Sequence, residues 1–137
     1  MIIDTLDNLN KIVPIKQDDS NATRCRTIKK HEEYIDFSLD ARSVYNKIRA
    51  LYPLPCAKTV IDGEVFKIHS AVIFDGDKKL GEAGEIINSD GKIIIACGVG
   101  AVEITVIQAP SKRAVSAKEY LLGHKLNVGT VANGYVK

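Results

Sequence analysis

The stretch Ile35–Ile68 limits the fold more than any other, because its hydrophobic period changes once, at a proline corner. Ala41, Val44, Tyr45, Ile48 and Leu51 recur at spacings of three and four, which puts them on one face of a helix. Arg42, Asn46 and Arg49 fall on another face, with Lys47 beside them. Ser38 or Asp40 can cap this helix, since a short side-chain oxygen accepts from the free amides of a first turn. Pro53 and Pro55 stop it, and each pushes its preceding residue toward an extended backbone. Ala57–Ile61 and Glu64–Ile73 then read as strands joined at Asp62-Gly63, a strong two-residue hairpin signal.

More strands come after them. Asp75-Gly76 opens a polar turn, Gly84–Asn88 and Lys92–Cys97 flank Asp90-Gly91, and Gly100–Gln108 is a further strand. Strict alternation puts Phe66, Ile68 and Val72 on one face, with Lys67 and His69 opposite. In the same way it groups Val102, Ile104 and Val106 against Glu103 and Thr105. Three Asp-Gly turns at similar intervals imply an antiparallel meander or a small barrel. Cys97-Gly98-Val99-Gly100 is read as a hairpin turn. A phosphate cradle needs a helix after its glycines, and here a strand comes next. Ser116 caps a short helix over Ala117–Leu122, which Gly123 stops, and the irregular Leu126–Lys137 has room for one last short strand.

Upstream, Ile2, Leu6, Leu9 and Val13 form one helical stripe that Pro14 ends. So short a helix is marginal alone, and its apolar face requires a partner. From Ile15 to Tyr34 the periodicity disappears, and the segment reads as a charged linker. The expected division is residues 1–34 as helix and linker, and 35–137 as the folded domain.

A chain of 137 residues can bury a core without disulfide or metal staples. Cys25, Cys56 and Cys97 match neither a zinc pattern nor a disulfide framework, and are expected to be buried or semi-buried thiols. His31, His69 and His124 lack ligand spacing, and no nucleophile motif surrounds them, so no catalytic residue is assigned. No apolar run reaches membrane-spanning length and no signal pattern opens the chain, so the expectation is a cytoplasmic protein with no membrane and no metal partner. Aromatics make up 6% of the chain, which advertises no stacking platform for bases. A net charge of +2 leaves only the clustering of cations to argue from. The candidates for contact with a phosphate backbone are Lys29 and Lys30 in the linker, Arg42 and Arg49 on the helix, and Lys112 and Arg113 in a late loop.

A family pattern runs through the same residues. It comprises Ile35-Asp36-Phe37, Asn46-Lys47-Ile48-Arg49-Ala50-Leu51, Pro53-Leu54-Pro55-Cys56-Ala57, Asp62-Gly63 and Lys67-Ile68. It continues with Gly81-Glu82-Ala83-Gly84-Glu85, Ile95 to Ala101, Gln108, Lys112-Arg113 and Ser116 to Gly123. In order and spacing this resembles the C-terminal domain of methionyl-tRNA formyltransferase. Gln17 to Thr23 is similar to that family's interdomain linker, and Met1–Val13 to the last helix of its catalytic domain. Leu54 and Cys56 stand where the family has Trp and Gly in Pro-Trp-Pro-Gly-Ala, and Arg24-Cys25-Arg26-Thr27 replaces part of its linker motif.

The resemblance implies a mainly β fold with short α-helices, a small Greek-key OB-like antiparallel barrel. It implies a module that helps hold initiator methionyl-tRNA beside a formyltransferase catalytic domain. The cofactor of that parent reaction, 10-formyltetrahydrofolate, belongs to a half with no counterpart in these residues. Lys29, Lys30, Arg49, Lys112 and Arg113 match the family's cations, whereas Arg42 comes from helix geometry. The alternative is an accessory structural domain of a sugar or folate formyltransferase that does not meet RNA.

Overall fold

A computed structural model of the chain describes residues 2–134. Its sheet contains β1 (Ala57–Ile61), β2 (Glu64–Asp75), β3 (Ile86–Asn88), β4 (Ile93–Ala96), β5 (Ala101–Gln108) and β6 (Val115–Ser116). The helices are α1 (Ile2–Asp7), α2 (Ala41–Leu51) and α3 (Ala117–Gly123). All strand pairs are antiparallel, in the order β1-β2-β5-β4-β3, and β6 adds to β5.

Asp62 and Gly63 have φ of 50° and 81°, the double left-handed turn that matches strand twist, and β1 pairs β2 down to Ile61–Glu64. Asp75-Gly76 behaves differently. Asp75 accepts from the amides of Asp77 and Lys78, and the chain leaves for β3 without pairing back on β2. The β2–β3 connection therefore passes β4 and β5, which makes a Greek key of β2 to β5.

Strict alternation fails in the middle of β2. The ladder to β5 shifts register between Ile68, Ser70 and Ala71, so one extra residue reverses the facing of the rest of the strand. Ala71 is consequently buried, and the expected Val72 is exposed. On β5 the same irregularity buries Ile107 and leaves Val106 only half-buried.

The last described residues close the barrel. Asn133 exchanges backbone hydrogen bonds with Val60 on β1, and Ala132 bonds Gly84 while Gly129 and Thr130 bond Ile86 on the β3 side. A segment with little periodicity thus joins the two sheet edges that would otherwise be left open. Inside lie Ile61, Phe66, Ile68, Ile86, Ile93, Ile95, Val102, Ile104 and Ile107.

α2 packs mainly on β2 and carries its buried Ala41, Val44, Ile48 and Leu51 into the same core. Each large aliphatic side chain among them contributes roughly 2 kcal/mol by leaving water. Of the two possible caps, Asp40 makes the bond, accepting from the Ser43 amide at 3.0 Å. Gly98 donates to the carbonyls of Phe37 and Leu39, and Ala41 to that of Val99, so the β4–β5 turn seats the start of α2. α3 has the expected Ser116 cap, completed by Glu119 as a capping box, and runs through Gly123 to a cap at His124.

α1 is shorter than its hydrophobic stripe, and a 3-10 turn over Leu9–Lys11 comes after it. Ile2, Leu6, Leu9 and Val13 are all exposed, so no described part of the chain covers that face.

Candidate nucleic-acid interface

Two of the six candidate cations, Arg42 and Arg49, lie on α2. At about 100° per residue, its buried residues centre on the Val44–Ile48 line. Tyr45 and Arg49 flank one side of that line, Lys47 flanks the other, and Arg42, Asn46 and Ala50 face outward. Arg42 and Arg49 are exposed. Arg49 sits with its guanidinium carbon 5.8 Å from the Tyr45 ring centroid, and it donates to Asn46 Oδ1 at 3.4 Å.

On the Arg49 side a groove of about 470 Å³ separates α2 from the bulged β2–β5 ladder. Tyr45, Arg49, Tyr52, His69, Ser70 and Ala114 line it, with Ile48, Ala71 and Val106 as the apolar part. Gln108 organises this side. Its Nε2 donates to the Lys112 carbonyl at 2.7 Å, which leaves Oε1 facing His69 Nε2 at 2.8 Å. The bond chain from His69 to Lys112 ties the loop holding Lys112 and Arg113 to the groove wall. Both cations in that loop are exposed.

The linker that carries Lys29 and Lys30 approaches the opposite flank. Arg24, Arg26, Ile28 and Glu32 approach Lys47, Ala50 and Leu51, so the linker runs along the Lys47 edge of α2. Arg26 grips Glu32 with two bonds of 2.7 and 2.5 Å. That pair, with the Lys29 amide, holds the Glu32 carboxyl down to about 2. Glu33 pairs with Lys58 on β1, and the Ile35 amide donates to the Lys58 carbonyl, anchoring the end of the linker.

Four described cations are neutralised by a carboxylate, and the six candidates share the unpaired state with Lys11, Lys16, Arg24, Lys47, Lys67, Lys78, Lys118 and Lys125. Arg26, Lys58, Lys79 and Lys92 are each paired with a carboxylate. Lys29, Lys30, Arg42, Arg49, Lys112 and Arg113 make no ion pair among the described residues. Of the six, Arg49 lines the groove, Arg42 faces outward from α2, and Lys112 and Arg113 sit in the loop tied to the groove wall through Gln108.

His124 stacks on Tyr120 with centroids 4.5 Å apart. Among the described residues no three His, Cys, Asp or Glu side chains converge as metal ligands would. Burial pushes the Cys97 thiol up to about 12 and the Cys56 thiol upward too, which removes both as nucleophiles. Cys25, expected to be at least partly buried, is exposed, because the linker around it contributes nothing to the core. No described helix is long and apolar enough to cross a membrane.

Sequence reasoning missed Tyr45, Tyr52 and His69 as parts of a site. They come from a helix, a helix end and a strand, and only α2 docking on β2 makes them neighbours. The low aromatic fraction concealed that two of the five tyrosines gather here.

A closed antiparallel barrel with a helix docked on it defines the fold class. The chain belongs to the family described as formyl transferase, C-terminal domain, whose model matches residues 27–125. Among curated proteins, the methionyl-tRNA formyltransferase of Streptococcus mutans serotype c is 39% identical over 122 residues, covering 87% of this chain and 38% of its own length. That of Clostridium novyi is 34% identical over 134 residues, covering 96% of this chain and 43% of its own length. The chain thus spans about two fifths of the length of these curated relatives. Among solved structures, HypX from Aquifex aeolicus in complex with tetrahydrofolic acid superposes with a TM-score of 0.64 at 18% identity, over 93% of this chain and 25% of that one. The resemblance read from the sequence and the barrel it implied are therefore both upheld.

Proposed function

We propose that this domain is the RNA-holding part of a methionyl-tRNA formyltransferase, keeping initiator methionyl-tRNA in place while another domain transfers the formyl group from 10-formyltetrahydrofolate. The observation that carries this reading is the pairing of exposed Arg42 and Arg49 on α2 with exposed Lys112 and Arg113 in the loop that Gln108 ties to the groove wall, none of them held by a carboxylate. The names of its relatives supply the RNA, since proteins much like it are methionyl-tRNA formyltransferases. Phosphates are the natural ligands of such a surface. A folded RNA offers them on a regular backbone, and side chains need no fixed motif to reach them. The domain performs no chemistry of its own in this reading, and its place is translation initiation in the cytoplasm.

The test is a titration of labelled initiator tRNA at several salt concentrations. With about four phosphate contacts, the logarithm of affinity falls against log salt with a slope of about −3. Replacing Lys112 and Arg113 together by Ala weakens binding and flattens that slope by roughly 1.5 to 2. Absent binding at low salt, or binding indifferent to salt, rejects the reading and favours an accessory domain that never meets RNA.

A further inference from the structure

We propose that the groove between α2 and the β2–β5 bulge is the seat of one unpaired nucleotide, its base against Tyr52 and its phosphate on Arg49. This rests on the RNA-holding reading above and makes it more specific. A surface that met only paired RNA would need cations alone, because a duplex presents phosphates and hides its base faces.

The groove offers more than cations. Its volume of about 470 Å³ suits a small organic group. Tyr52 is 56% exposed at the end of α2 and meets the His69 imidazole edge-on, with centroids 6.0 Å apart. Tyr45 lies under the Arg49 guanidinium. An exposed tyrosine ring beside a cation suits a base with its phosphate, as stacking uses any base face and the guanidinium takes two phosphate oxygens. No carboxylate lines the groove to repel that phosphate. Arg49 is drawn there by the ring and Asn46 and not by an acid, so its charge remains available. The Gln108 bonds hold His69 and the Lys112 backbone in place before any ligand arrives, which lowers the ordering cost of binding. The loop with Lys112 and Arg113 then stands where the flanking phosphates of the same strand would pass.

The test uses the full chain and two RNAs of equal length, one single-stranded and one fully paired. Tyr52→Ala weakens the single strand about tenfold and leaves its salt slope unchanged, because stacking releases no counterion. Tyr52→Phe retains the ring and keeps the affinity. Arg49→Gln weakens the single strand and flattens its slope by about 0.7, the share of one phosphate on a single strand. Tyr52→Ala leaves the duplex unaffected. As a second measurement, 5′-AMP shifts the Tyr52 and His69 ring resonances further than inorganic phosphate does at the same concentration.

Unchanged single-strand binding in Tyr52→Ala, equal loss on the duplex, or equal shifts from 5′-AMP and phosphate overturns the nucleotide seat. In those cases the parent chain still binds tRNA, and the RNA-holding reading stands. If the parent chain binds no RNA at low salt, both fall. Tyr52 and Arg49 are exposed, so neither substitution removes core packing.

Discussion

At the residue scale, Cys56 shows a side chain placed against its backbone preference. Its φ is 71°, in the left-handed region where a Cβ crowds the following carbonyl, at a cost of roughly 1–2 kcal/mol. The thiol is nevertheless buried, with its sulfur 3.4 Å from the Ile68 carbonyl. Packing therefore offsets part of the strain at the position where the family has glycine. Cys56→Gly should change stability by no more than about 1 kcal/mol, since relief of strain and loss of burial oppose each other. Cys56→Val should lose more than about 2 kcal/mol, because a β-branched side chain tolerates this conformation worst. Urea denaturation of both variants checks the contrast. Leu54, the other departure, is 83% exposed, so the missing tryptophan leaves no cavity.

Cys97 gives a pH prediction. Its thiol lies at about 12 in the folded chain against an ordinary 9.0, mostly through burial. A raised acid keeps its proton longer in the folded state than in the unfolded one. Its contribution to stability is complete below pH 9 and is lost as pH rises toward 12. Denaturation midpoints of the parent and Cys97→Ala should converge across that window. The burial expected of Cys56 and Cys97 from the sequence is met, whereas Cys25 is exposed because it lies in the linker and not on a core-facing strand.

At the element scale, the β4–β5 turn and the first turn of α2 act as one joint. A Cβ on Gly98 would run into the Ser38 carbonyl oxygen, while one on Gly63 meets nothing. Gly98→Ala should therefore cost at least about 3 kcal/mol, as it breaks the bonds to Phe37 and Leu39 and unseats α2. Gly63→Ala should cost only about 1 kcal/mol of left-handed strain. Thermal denaturation separates them.

The linker is held by a different kind of contact. Releasing Arg26 by Glu32→Gln should speed amide exchange over residues 24–33 while leaving β5 amides as slow as before. Helices α2 and α3, the Asp62-Gly63 hairpin and the Cys97–Gly100 turn were all legible from local rules. The β2–β5 bulge was not, because a strand's alternation is broken by its partner's register and not by its own composition.

At the scale of the whole molecule, closure depends on Gly129–Asn133. Removing residues 128–137 should open the seam between β1 and β3, because several backbone hydrogen bonds go with it. The thermal midpoint should fall by roughly 10 °C or more, and the opened core should bind a hydrophobic dye. The exposed stripe of Ile2, Leu6 and Leu9 belongs to no part of this closed body, so its replacement by Ser should leave that midpoint unchanged.

The sequence by itself determined the element types, most of the turns, the family and the six cations, since each comes from local conformational preference or from residue identity. The tertiary structure decided the Greek-key crossing, the bulge, the seam and the groove. Each of these needs residues distant in the chain to meet, as Asn133 meets Val60 and Tyr52 meets His69. The cost and reward of such meetings depend on the packing of the whole core, which no local pattern records.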